Sequence, residues 1–203
     1  MTRSKRLPLE IDVLVASARW NDAAAAKAMV RRAVTHAAAT MRLTEAMELA
    51  IVLTDDSAIR VLNRDWRGVD AATNVLSFPA KTATGKNLGG HLGDIVLAFE
   101  TVVREARDAR KPLAHHVAHL AIHGFLHLIG YDHEREDDAV AMEQTERAIL
   151  RQLAIPDPYR PRTRQSPVRT TTARATIKKA AKPVAKPAAK HPAAAPGGRS
   201  LKS

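Results

Sequence analysis

Apolar and polar positions follow two rhythms along most of this chain, and each rhythm predicts a kind of element. Ile11, Val13 and Val15 alternate with Glu10, Asp12 and Leu14, a period of two that predicts a strand over Leu9 to Val15. Asn21-Asp22 is placed to cap an Ala-rich run, Ala23 to Met41, whose apolar residues recur at helical spacing. Glu48 to Thr54 is apolar and partly β-branched, which suits a buried strand. Asp55-Asp56-Ser57 then caps a helix from about Ala58 to Trp66. Thr73 to Phe78 and Gly93 to Phe99 are further strands, separated by a polar, Gly-containing loop over Thr82 to Gly90. Thr101 to Arg110 forms a charged amphipathic helix that stops before Pro112. An apolar helical run, Leu113 to Leu126, follows, and a last helix covers Asp137 to Leu153, with Val140, Ile149, Leu150 and Leu153 among its apolar positions. Strands and helices mixed in this order predict an α+β fold, one sheet packed against helices in a single domain.

From Arg160 the rhythm stops. Residues 160–203 are Lys, Arg, Ala, Pro, Thr and Ser, with Val168, Ile177, Val184 and Leu201 as the sizeable aliphatics. Such a segment buries too little apolar surface to offset its ordering entropy, so it is expected to be disordered. It also changes the meaning of the net charge of +11. Of the 32 Lys and Arg, 12 fall from Arg160 onward, where Asp and Glu are absent. The remaining 20 face 21 acidic residues, so residues 1–159 carry a net charge near −1. The basicity belongs to the tail, and the pI says nothing about a nucleic-acid-binding surface on the domain. There is no cysteine, so any metal must rest on His, Asp or Glu. That fits a reducing, cytoplasmic setting. The basic start (Arg3, Lys5, Arg6) is not followed by an apolar run of signal-peptide length. No stretch approaches the roughly 18 apolar residues of a membrane span, and the expectation is a soluble protein with no membrane partner.

The chemistry lies in His-Gly-Phe-Leu-His-Leu-Ile-Gly-Tyr-Asp-His, residues 123–133. His123 and His127 are i and i+4, so on a helix their imidazoles share a face and can bind one metal ion. Gly130 is placed to take the left-handed conformation that ends a helix. The chain can then turn back and deliver His133 as a third ligand. Three neutral imidazoles with one position open describe a catalytic Zn2+ site, one ion per chain, rather than a closed structural one. The spacing matches the metzincin pattern H-E-x-x-H-x-x-G-x-x-H except that Gly124 stands where those proteases carry their general base. A zinc protease is therefore the weaker reading.

The wording around these histidines also resembles the YbeY family. Further matches are Leu62-Asn63 with Trp66-Arg67-Gly68, the run Thr73-Asn74-Val75-Leu76-Ser77-Phe78-Pro79, Leu92-Gly93-Asp94-Ile95, and Asp157-Pro158-Tyr159. The resemblance covers about residues 8–159. It implies a sheet of four strands of mixed direction with helices around it, and a metal-dependent endoribonuclease specific for single strands. It further implies a role in rRNA processing at the 16S 3′ end and in ribosome biogenesis. The implied partners are the rRNA precursor and the small ribosomal subunit, with its proteins and the GTPase Era. Arg67 falls at the family's functional arginine and is the catalytic candidate, a permanent cation able to hold two phosphate oxygens. His116 and His119 stay open between helix-face residues, RNA contacts and partners behind the metal ligands. Asp132 either orients a ligand imidazole or caps the turn. Asn74, Ser77 and Asp94 lie in family motifs, yet such residues at strand ends commonly form turns. Trp66 can stack on a base, though an aromatic closing a helix is more often core. Ala71-Ala72 departs from the basic and proline residues expected before Thr73. A ribosome assembly factor that uses metal only for stability is the alternative to an enzyme.

Overall fold

The computed structural model describes residues 9–80, 90–133 and 135–160. The predicted loop over 82–90 falls almost wholly outside them, and the predicted tail does so from residue 161 onward. The elements run β1 (Leu9–Val15), α1 (Ala23–Thr40), β2 (Met47–Thr54), α2 (Asp56–Arg67), β3 (Val75–Pro79), β4 (His91–Ala98), α3 (Phe99–Asp108), α4 (Leu113–Leu128) and α5 (Glu136–Gln152). The sheet order is β1-β2-β4-β3. β1, β2 and β4 are parallel, and β3 pairs antiparallel with β4 at the edge, Ser77 opposite Ile95 and Pro79 opposite Gly93. Pro79 is tolerated because an edge strand has a side that needs no ladder donor. The α+β class and the mixed sheet of four strands agree with the sequence reading.

Both faces of the sheet are used. On one, Val30, Val34 and Ala37 of α1 and Ala121, Ile122 and Phe125 of α4 close over Ile11, Leu49, Ile51, Ile95 and Leu97. On the other, Ile59 of α2 packs with Leu76, Val96 and Ala98. The predicted caps are present, with Asp22 accepting from Ala25 N and Asp55 from Ala58 N, each at 3.0 Å. α3 begins at Phe99, two residues earlier than its sequence pattern predicts. The cause is an exchange of caps between α2 and α3. Glu100 accepts from Asp56 N, while Asp56 accepts from Thr101 N and Thr101 Oγ1, so each helix satisfies an orphan donor of the other. In α5, Val140 is exposed rather than core, because the helix packs only through the stripe that includes Met142, Glu146, Ile149 and Leu150.

α4 lies directly on the sheet, and Gly124 is the reason it can. A Cβ there would sit 2.9 Å from Ser77 Oγ and 3.0 Å from Ile95 Cγ2. Leu128, one turn on, lies over Gly93. α4 therefore runs along the β3–β4 pair with its last turn at the Pro79–Gly93 end.

Candidate metal centre

The end of α4 is built by its sequence. Gly130 takes φ +98, a conformation that costs a residue with a Cβ but not glycine. Tyr131 N then bonds back to Leu126 O at 3.0 Å and Gly130 N to His127 O at 3.1 Å, the paired bonds of a Schellman cap. This turn does two things. It carries His133 back toward the helix, and it brings the Tyr131 carbonyl to 3.0 Å from His127 Nδ1. His127 thus donates its Nδ1 proton to backbone and leaves Nε2 as a lone pair. His123 is set the same way from the other side, with Nδ1 2.7 Å from Glu146 Oε1.

With both Nδ1 protons committed, the Nε2 atoms of His123 and His127 meet at 3.2 Å as two lone pairs. That is repulsive unless a cation lies between them. Two nitrogens bound tetrahedrally to zinc at its usual bond length are about 3.3 Å apart. One ring nitrogen of His133 joins them, the set of three lying within 4.8 Å of one another. His123 and His127 are half-buried and His133 is exposed, so one side of the cluster is open. The donor set suits a divalent metal ion with a vacant position for a ligand. Burial pushes the His127 imidazolium pKa down, helped by its two neighbouring histidines. The neutral, ligating form of this ring is the one its surroundings favour.

Behind the ligands stands Glu146 of α5, fully buried. Its second oxygen accepts from His119 Nε2 at 3.0 Å and from the Tyr159 hydroxyl. Burial alone would push this carboxyl pKa up. The donors from His119, His123 and Tyr159 outweigh it and hold the value near 2. Burial and the same carboxylate push the Tyr159 phenol up, so it stays a donor. Sequence reasoning did not single out Glu146, and it met Tyr159 only inside the Asp157-Pro158-Tyr159 motif, with no role given to it. A signal existed, since Glu146 occupies the apolar stripe of α5 between Met142 and Ile149, where an acid is costly unless its hydrogen bonds are met.

The family profile described as Endoribonuclease YbeY matches residues 15–154. The chain belongs to the YbeY endoribonuclease family. Relatives of that name include proteins of Nitrobacter hamburgensis, 52% identical over 76% of this chain and 84% of the relative, and of Nitrobacter winogradskyi, 54% identical over 74% and 82%. Another from Rhodopseudomonas palustris is 50% identical over 75% of this chain and 94% of its own length. A solution structure of a Thermotoga maritima protein overlays 71% of this chain and 91% of its own, at 21% identity and a TM-score of 0.45.

The YbeY-like motifs fall at different depths in this fold. Arg67 is in the last turn of α2, exposed, and among the described residues its side chain has no hydrogen bond or ion pair. The segment after it is held by Asn63, whose Nδ2 donates to Ala71 O at 2.8 Å, and by Asp70, which takes two 2.7 Å bonds from Arg60. Asn74 stands at the entry to β3, its Oδ1 accepting from Val75 N at 2.7 Å. Its Nδ2 also donates to Glu105, which binds His116 Nε2 at 2.8 Å. His116 and His119 are thus buried or nearly so and bonded to carboxylates, not ordinary solvated positions on a helix face. Asp132 Oδ1 accepts from the adjacent His133 N at 2.7 Å, and among the described residues Asp132 has no hydrogen bond to a ligand imidazole. Trp66 is 72% exposed, against the expectation that it is core. Its ring meets Phe78 edge-on, at 5.8 Å between centroids.

Proposed function

We propose that this chain is a metal-dependent endoribonuclease that cuts single-stranded RNA at the His123–His127–His133 centre during rRNA maturation. The observation that carries the reading is the open cluster of three imidazoles, oriented by Glu146 and Tyr131, in a chain of the YbeY family. The metal best suited to three imidazoles is Zn2+, which when bound supplies Lewis acidity toward a phosphoryl oxygen and toward water. The chain's own residues do the rest. His123 and His127 present unprotonated Nε2 atoms because their Nδ1 protons are given elsewhere. Arg67, which among the described residues has no carboxylate partner, clamps the scissile phosphate and offsets the charge that builds up on it.

The protease reading loses further ground, since the place of a side chain at position 124 is filled by Ser77 and Ile95. The substrate in this reading is a small-subunit rRNA precursor, cut at the 16S 3′ end, in the cytoplasm. Small-subunit ribosomal proteins and the GTPase Era are then the neighbours to find, and their co-sedimentation with the tagged chain tests that extension. Residues 1–159 hold the active site, and 160–203 add affinity for RNA of any sequence.

The deciding experiment is single-turnover cleavage of a single-stranded rRNA fragment. Arg67→Ala is expected to keep fold and metal while cleaving slower by on the order of 10²-fold, with Arg67→Lys restoring only part because it lacks the two-pronged donor. His127→Ala is expected to abolish cutting and retain its helical signal. Full cleavage by Arg67→Ala removes that residue from the mechanism. Failure of the metal-loaded parent to cut any single strand returns the chain to the assembly-factor alternative.

A further inference from the structure

We propose that Trp66 is a stacking platform for an unpaired base of the RNA substrate, and that this stacking favours single strands over duplex. The inference rests on the endoribonuclease reading above and extends it to the substrate's bases. The chain has two tryptophans, and the fold treats them oppositely. Trp20 is 5% exposed, its indole nitrogen donating to Thr54 O at 2.8 Å and its ring set edge-on to Phe99. Trp66 is 72% exposed, and among the described residues its indole N–H has no hydrogen-bond partner. An indole this size is normally largely buried. Its exposure contributes nothing to the core, whereas a base has a flat face that any aromatic ring can cover.

The surroundings of Trp66 choose the occupant. Phe78 braces the ring at 5.8 Å and 63°, fixing its attitude without covering it. The acids nearby are already neutralised, Asp65 by Arg64 at 2.9 Å and Asp70 by Arg60 at 2.7 Å. Among the charged side chains from 60 to 70, Arg67 alone has no ion pair with a described residue. A flat apolar ring followed in the chain by an uncompensated cation matches a nucleotide, base on the ring and phosphate on the guanidinium.

Its position also suits the metal centre. Phe78 pairs with Asp94 and Pro79 with Gly93 in the β3–β4 ladder, and Leu128 lies over Gly93, next to His127. Trp66 and the end of α4 therefore approach the same end of the edge strand from opposite faces. An RNA strand crossing β3 can stack one base on Trp66 while the adjoining scissile phosphate lies between Arg67 and the histidines. In a duplex the bases stack on each other and their faces are hidden, so the platform has nothing to bind.

The test titrates the full-length, metal-loaded protein with a short phosphorothioate oligoadenylate, alone and annealed to its complement. Trp66→Leu is expected to weaken single-strand binding about tenfold or more, with Trp66→Phe keeping most of the affinity. Duplex binding should not change, and indole fluorescence of the parent should be quenched as the single strand binds. In cleavage the loss should fall mainly on KM. Equal single-strand affinity of Trp66→Leu and parent, or equal losses for single strand and duplex, overturns the proposal. So does a change in self-association or protein capture with RNA affinity intact, which would assign the patch to a protein partner. If the parent cuts RNA and Trp66→Leu binds as the parent does, this inference alone falls. If the parent neither binds nor cuts single strands, the endoribonuclease reading falls with it.

Discussion

His116 shows how a single buried ring couples this fold to pH. Its Nε2 faces Glu105, while Nδ1 is buried and has no partner among the described residues. A proton on Nδ1 would be an unsatisfied buried donor, so the neutral ring with its proton on Nε2 is preferred. Burial accordingly pushes the His116 pKa down from 6.5, against the opposing pull of Glu105. The folded value lies below the unfolded one, so below about pH 6.5 the unfolded chain takes up a proton that the folded chain resists. This contribution is complete above the unfolded pKa and shrinks as pH falls beneath it. His116→Gln should therefore lose melting temperature less steeply than the parent between pH 7.5 and 5.5. Parallel curves would mean that His116 does not carry the effect.

The residue scale is also where legibility in the sequence divides. The three histidines were readable because their spacing is local, one helical turn and one glycine turn. Arg67 was readable through the resemblance alone. Trp66, His116 and Asp132 were not resolved, because each depends on what faces it in the folded chain. Phe78 braces Trp66 without burying it, Glu105 arrives at His116 from α3, and the turn after α4 folds Asp132 onto the backbone beside it.

At the scale of elements, α5 is what couples the metal centre to the rest of the helical layer. Glu146 accepts from His119 and His123 of α4 and from Tyr159, so one carboxylate ties two helices and the segment after α5 together. Glu146→Leu fills similar space but strands three donors. It should lower stability by about 3 kcal/mol and metal affinity by about 10- to 100-fold, since His123 loses the partner that fixes its ring. Glu146→Gln should recover part of both. Chelator competition alongside thermal melting measures the pair of effects, and unchanged metal affinity in Glu146→Leu would show that His123 needs no support. The elements themselves were legible within two or three residues, because alternation and caps are local. Helix α3 started early because its cap comes from α2, and no window along the chain contains that exchange.

At the scale of the whole molecule, charge and chemistry are divided along the chain. Among the described residues the buried apolar core runs from Leu9 to Leu150, while 12 basic residues lie from Arg160 onward. Deleting 160–203 should leave melting temperature and metal content nearly unchanged. RNA affinity should weaken at low salt, and the slope of log affinity against log salt should become shallower by about 0.7 for each phosphate that the tail no longer neutralises. Identical slopes for truncated and full-length protein would leave the tail without a part in RNA binding. The central claim is narrower than this division of labour. It is that three histidines hold one ion on which RNA cleavage depends. The most direct measurement strips the metal with a chelator, then restores one equivalent of Zn2+, following cleavage of a single-stranded rRNA fragment throughout. Cutting should vanish and return in the parent, with one ion bound per chain, and should not return in His127→Ala. Undiminished cutting by the metal-free protein, or recovery in His127→Ala, would contradict the account.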